Sequence, residues 1–361
     1  MRRILHSHYS FVIEYCLGSF SAISFTEHGC LVFLIALCGD LSPSLPSHPS
    51  ISPHYHVFSS VSIPPSSPPL HFPMCNLFLS LRPKIPRLRL ILLSIRDEQL
   101  LRPTAAAEWR EGVLSGIDLQ DPLRGTWCGV NEQGKIGVLL SITQLEKDKR
   151  ADVTSRGRIV HDYLGSPLTG ADFCDSLATN AHDFNGFTFV AIDRPTGDYQ
   201  MHSFTNALVD EPKTLSWRND VNAVGNCPPH KTYAKLDHGM ELFEQVLDEL
   251  GETSTDSEIV ESLFTVGTDT KECYPDAQLD SQIDKYDPRL FSSIFLRIGT
   301  PPIYGTRCQT ALLISEDGSA FLRERRLLSI DEKRKEDWET NDFSFVVPTT
   351  TSVIENASMH F

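Results

Sequence analysis

The chain lacks a basic surplus: 32 Lys and Arg face 47 Asp and Glu, a net charge of −15 over 361 residues. Such an anion repels phosphate backbones and anionic membrane surfaces, so no nucleic-acid partner is expected. It also lacks C-x-x-C pairs. Its nine cysteines are irregularly spaced and odd in number, which argues against a zinc module or a disulfide framework and for reduced, cytosolic thiols. The apolar block at residues 30–38 falls well short of the roughly 20 residues that span a bilayer, so no transmembrane segment is expected. P-loop, G-x-G-x-x-G, H-E-x-x-H and G-x-S-x-G signatures are all missing. What the chain does have is 40% hydrophobic residues, enough to fill a sizeable core and to exclude global disorder.

Charge is scarcest at the start. Residues 1–73 hold five charged side chains (Arg2, Arg3, Glu14, Glu27 and Asp40) but 7 of the 13 histidines, 9 of the 23 prolines and 15 serines. From residue 42 to 73 the composition follows no helical or strand period and cannot bury a core. Arg2 and Arg3 could begin a signal peptide, but the apolar block lies some thirty residues in, behind two glutamates. Residues 1–73 therefore read as a Ser/Pro/His-rich extension outside the working domain. Residues 74–350 read as that domain, and 351–361 as a flexible tail.

Residues 74–361 carry 30 basic and 44 acidic residues and show ordinary globular patterning. Strands are predicted at 88–93, 126–130, 135–141, 187–192, 310–315 and 320–322, with Phe343, Phe345 and Val347 alternating in a last one. Asn131-Glu132-Gln133-Gly134 and Glu316-Asp317-Gly318 read as hairpin turns. Helical spacing covers 237–250, continues from Asp256 as N-cap to Phe264, and recurs at 156–164. Strands at hairpin spacing with helices inserted predict an α+β fold of antiparallel sheets covered by helices. Trp109 and Trp127 read as core aromatics, and the mixed-charge run 331–337 as a solvated face. His161, His182, His202 and His238 have no metal-ligand spacing, and Asn356-Ala357-Ser358 is a sequon that is idle in a cytosolic protein.

The remaining signal is a series of short blocks: Met74-Cys75, Ile95-Arg96-Asp97-Glu98, Leu101-Arg102-Pro103, Gly125-Thr126-Trp127-Cys128-Gly129, Ser155-Arg156-Gly157, Phe184-Asn185-Gly186-Phe187, Gly225-Asn226 and Tyr304-Gly305-Thr306-Arg307. In order and spacing, over residues 74–347, they resemble the NRDE family, also called the transport and Golgi organisation protein two family. In that family Met74 corresponds to the initiator methionine, and residues 1–73 have no counterpart. The family in turn resembles N-terminal-nucleophile hydrolases, which implies a four-layer αββα sandwich of two antiparallel sheets between helices.

The resemblance implies roles. Cys75 would be a nucleophile whose own freed α-amino group is the base, since an amine near pKa 8 can take the proton of a thiol near 8.5. Arg96 and Asp97 would orient that thiolate and amine, Asn226 would donate to the oxyanion, and Arg307 would be a supporting or substrate-facing cation. The chemistry needs a chain that begins at Cys75; with residues 1–73 attached it fails. Ile95 replaces the family's Asn, and Ser141 stands where relatives carry another. Both departures favour binding over catalysis.

The family's association with Golgi organisation, secretory transport, and haem and lipid homeostasis implies a cytoplasmic protein, associated with Golgi or mitochondria, that binds a hydrophobic small molecule. The alternative is a cysteine amidohydrolase acting on an acyl amide. Neither requires a cofactor or a metal; haem would be cargo, for which Cys227 of Cys227-Pro228-Pro229-His230 offers a weak thiolate-ligand signal with His230 assisting.

Overall fold

A computed structural model describes the short segments 14–16, 19–25 and 31–35, and then residues 74–349 apart from 300, 301 and 332. The Ser/Pro/His run at 42–73 and the tail at 351–361 lie outside the described residues. The chain divides into two units, Met1–Pro69 and Leu70–Phe361. In the first, β1 (Glu14–Cys16), β2 (Ser19–Phe25) and β3 (Leu31–Ile35) form an antiparallel sheet in that order. The apolar block at 30–38 thus contains a strand.

The second unit follows in chain order: β4 (Asn76–Ser80), β5 (Leu88–Gln99), β6 (Thr104–Arg110), β7 (Val113–Asp118), β8 (Cys128–Asn131), β9 (Ile136–Ser141), α1 (Ile159–Gly165) and α2 (Gly170–Leu177). Then come β10 (Phe187–Asp193), β11 (Gln200–Thr205), β12 (Lys213–Trp217), β13 (Val221–Gly225), α3 (Ala234–Glu249), α4 (Asp256–Gly267) and α5 (Ala277–Gln282). β14 (Arg297–Ile298), β15 (Tyr304–Ser315), β16 (Ser319–Ile330) and β17 (Glu336–Val346) complete it. One sheet runs β12-β11-β10-β9-β8-β7-β6; the other runs β13-β4-β5-β15-β16-β17, with β14 on β15. The pairings within both sheets are antiparallel.

Three apolar layers hold four structural layers together. Leu77, Leu79, Leu90, Leu92, Leu312 and Ile314 of one sheet meet Val130, Ile136, Val138, Val190 and Ile192 of the other. On the outer faces, Phe243, Leu247, Val260 and Phe264 of α3 and α4 cover Phe78, Ile91, Leu93 and Leu313. Val160, Tyr163 and Phe173 of α1 and α2 cover Phe187, Phe189 and Ala191. β5 and β10 are near-continuous apolar runs because each is covered on both faces. The fold is α+β with antiparallel sheets covered by helices, as the patterning predicts, in the helix, sheet, sheet and helix order that the resemblance implies. Among the described residues, no helix is long and apolar enough to cross a membrane.

Local chemistry sets the helix ends. The α4 cap is Thr255, one residue before the expected Asp256: its hydroxyl accepts from Glu258 N while the Glu258 carboxylate accepts from Thr255 N. That reciprocal box satisfies two amides, which Asp256 at the first helical position cannot do. In α3, Gly239 exists for packing. A Cβ there would lie 2.3 Å from Phe78 Cζ. Gly239→Ala is therefore expected to destabilise by about 1–3 kcal/mol through overpacking, although alanine is the better helix former by about 1 kcal/mol. Urea denaturation checks the sign; a gain in stability would show that the Phe78–Phe243 layer yields easily.

Candidate functional site

Side-chain alternation along two neighbouring strands builds the site. Just before β4, Met74 is buried against the α3–α4 layer, and Cys75 turns to the space between the sheets. β4 pairs with β5 through Asn76↔Ile95, which brings Cys75 beside the carboxyl-terminal end of β5. The Cys75 Sγ lies 3.8 Å from the Asp97 backbone oxygen, to which it donates. Burial, aided by the Asp97 carboxylate and opposed by the Arg96 cation, pushes this thiol up to about 12. Behind Met74, then, Cys75 is a thiol at neutral pH and not a thiolate.

The same alternation separates Arg96 from Asp97. Arg96, 6% exposed, faces the inter-sheet space with its guanidinium 4.2 Å from the Trp127 ring centre. It pairs with Glu98 at 3.4 Å and Asp118 at 3.8 Å. Ile95 and Asp97 point the other way. Ile95 fills the helix-covered core, so an Asn at this position would have faced an apolar layer. The Asp97 Oδ1 accepts from Thr306 Oγ1 at 2.7 Å, whereas Oδ2 is buried without a hydrogen-bond partner. Burial raises this carboxyl to about 7 against the pull of Lys235. Asp97 thus meets the thiol through its backbone, and its carboxylate belongs to the opposite face.

Lys235 of α3 is the residue sequence reasoning passed over. Only 1% exposed, it donates from Nζ to the Met74 and Ser293 carbonyl oxygens, both at 3.3 Å. Burial lowers its pKa, with Asp97 the main opposing charge. Nothing in Tyr233-Ala234-Lys235-Leu236 announces it; the only signal is a lysine on the apolar stripe of a helix.

Asn226 follows the paired end Gly225↔Asn76, immediately across from Cys75. Its amide donates to the Ser141 backbone oxygen, and its own backbone oxygen accepts from Tyr233 and Gln282. Asn226 therefore ties β9 to β13 beside the thiol. Arg307 sits at a bulge: Thr306 pairs with Asp97 and Cys308 with Arg96, leaving Arg307 unpaired in the ladder. A bulge re-aims its side chain, and Arg307 Nη1 donates to the carbonyl oxygens of Gln99, the last residue of β5, and Arg102 beyond it. Cys227, 2% exposed, is packed in the α3–α4 core with its thiol pushed up to about 12 by burial, while His230 is exposed. The structure thus places Cys227 in the core and His230 at the surface.

Around Cys75 opens a cavity of about 590 Å³. Cys75, Arg96, Trp127, Leu139, Ser141 and Ile142 form part of its lining, and Asp97, Glu98, Arg102, Asp118, Asp121, Glu146, Lys149, Arg150 and Arg156 contribute the rest of the charged wall. Trp127 is thus a cavity wall as well as a packing aromatic. The wall is locked by a contact between two of the sequence blocks. Thr126 N donates to Gly157 O at 3.2 Å, and Ser155 Oγ to Asp121 Oδ2 at 2.9 Å. A Cβ on Gly125 would fall 2.3 Å from Gly157, and one on Gly157 1.9 Å from Asp121 Oδ2. Gly125 is required by close backbone approach, and Gly157 by the Asp121 carboxylate packed against it. Among the described residues, no group of three or more His, Cys, Asp or Glu side chains is placed to hold a metal.

The chain is similar to several known proteins. The chain is 28% identical over 286 residues to the Transport and Golgi organization 2 homolog of Mus musculus, covering 76% of this chain and 99% of the mouse protein. It is 26% identical over 281 residues to the Homo sapiens homolog, covering 76% and 99%. It is 28% identical over 259 residues to Transport and Golgi organization protein 2 of Drosophila melanogaster, covering 67% and 88%. Among solved structures, the Caenorhabditis elegans ortholog of N-acylethanolamine-hydrolyzing acid amidase aligns with a TM-score of 0.37 and 13% identity, over 52% of this chain and 85% of that one. The family model for transport and Golgi organisation 2 matches residues 74–329, and the chain belongs to that family.

Proposed function

We propose that this protein acts in Golgi organisation and secretory transport by binding a hydrophobic small molecule, haem or a lipid, in the Cys75 cavity. The observation that carries this reading is the cavity itself: about 590 Å³, with Trp127, Leu139 and Ile142 beside a protonated thiol. A cytoplasmic protein, associated with Golgi or mitochondria, fits such handling. Trp127 supplies the test. Titration with haemin, or with the fluorescent fatty acid cis-parinaric acid, is expected to quench tryptophan emission, and Trp127→Phe is expected to remove most of the change. Full quenching in the variant would place the ligand elsewhere.

A second reading, a cysteine amidohydrolase acting on an acyl amide, is favoured by one observation: Cys75 and Arg96 line the same cavity. It needs a chain that begins at Cys75. The freed amine would then lie near Lys235, whose Nζ now donates to the Met74 carbonyl.

A further inference from the structure

Five cationic side chains line the cavity, and four have carboxylate partners. Arg96 pairs with Glu98 at 3.4 Å, Arg102 with Asp118 at 2.7 Å, Lys149 with Glu146 at 3.3 Å and Arg150 with Asp152 at 3.2 Å. Arg156 has none within 4 Å among the described residues. Its guanidinium donates to the Gly186 backbone oxygen at 2.7 Å, which leaves its charge uncompensated. Burial alone lowers its pKa, to about 10, so it remains a cation at neutral pH. It is also held in place. Ser155 caps the turn that carries it by accepting from Gly157 N, and the Gly125–Gly157 contact fastens that turn to the segment leading to Trp127. A half-buried charge without a partner is unfavourable, and a bound anion is the natural complement.

We infer that Arg156 is the anion anchor of the cavity: it pairs with the oxyanion group, a carboxylate, phosphate or sulfonate, of an amphipathic ligand whose apolar part lies along Trp127, Leu139 and Ile142. The inference rests on the cavity being a small-molecule site and names the class of molecule it takes. The planar guanidinium suits such a group because it offers two parallel N–H donors, which a lysine ammonium cannot reproduce.

Two dyes with nearly the same aromatic frame test this on the full chain. 8-Anilinonaphthalene-1-sulfonate carries the anion and N-phenyl-1-naphthylamine does not; binding of each is read through Trp127 quenching. Arg156→Gln is expected to weaken the sulfonate at least tenfold and the neutral dye less than twofold, with the unfolding midpoint unchanged. Arg156→Lys should recover part of the loss. Equal affinities of wild type and Arg156→Gln for the sulfonate would overturn the inference alone, as would a parallel loss of both dyes. Displacement of the sulfonate by millimolar inorganic phosphate would make the occupant a free oxyanion and overturn the amphipathic assignment. If the wild type bound neither dye, the small-molecule reading would fall with it.

Discussion

Residues 75–361, prepared with a native N-terminal Cys75, are expected to react stoichiometrically at Cys75 with an electrophilic acyl probe at pH 7.5, and the 361-residue chain roughly a hundred times more slowly. With Met74 attached, the thiol is pushed up to about 12 by burial and by the Asp97 carboxylate. Loss of Met74 frees the Cys75 amine, of pKa about 8, as a base within reach of that thiol, and a positioned general base contributes on the order of 100-fold. The comparison is internal. Cys128, Cys174, Cys227 and Cys308 are buried and Cys273 is partly exposed, so mass spectrometry of tryptic peptides reports all six together. Labelling of Cys75 no faster than that of the other five would remove the amidohydrolase reading, and Cys75→Ala controls for background.

The second large effect is on stability. Asp97 is expected to make the fold less stable as pH rises from about 4 to about 7, by on the order of 3 kcal/mol. Its carboxyl, 2% exposed, has a folded pKa raised from 3.8 to about 7, mainly by burial. Between those values the folded state holds a proton that the unfolded state has released, so unfolding releases it and becomes easier with each rise in pH. The contribution is fully present below the unfolded pKa and is lost as pH passes through the folded one. Asp97→Asn removes the titration while keeping an amide beside Thr306 Oγ1. Urea unfolding of both proteins at pH 4.5, 6 and 7.5 should show the stability difference, wild type minus variant, falling as pH rises. A flat difference would mean that Lys235 neutralises Asp97 fully in the folded state.

Much of the fold was legible because its central strands carry strong patterns. Residues 88–93 and 187–192 are apolar at nearly every position because sheets covered on both faces require it, and both became central strands. β6 and β11 were not legible. β6 is Thr-Ala-Ala-Ala-Glu-Trp-Arg with a register shift between Ala105 and Glu108, and β11 is Gln-Met-His-Ser-Phe-Thr, so neither shows an alternating stripe. Their pairing is fixed by neighbouring strands, which local sequence does not encode.

The site was legible as a set of blocks but not as a geometry. Cys75 and Arg96 line one cavity, Asn226 follows the strand end across from Cys75, and Gly125 and Gly157 form one contact between two separate blocks. Grouping Arg96 with Asp97 overlooked strand period: once β5 runs to Gln99, adjacent residues must face opposite sides. Arg307 was aimed by a bulge, which no residue type there signals. Lys235 was hidden in an ordinary amphipathic helix, and its importance comes from the Met74 carbonyl 161 residues away.

Ligand protection of Cys75 tests most directly whether the cavity is the binding site. In the 75–361 protein, saturating haemin or cis-parinaric acid should slow acylation of Cys75 at least tenfold and leave Cys273, the other partly exposed thiol, unchanged. Acylation of Cys75 at an undiminished rate, with ligand bound, would place the ligand outside the cavity and contradict the proposed function.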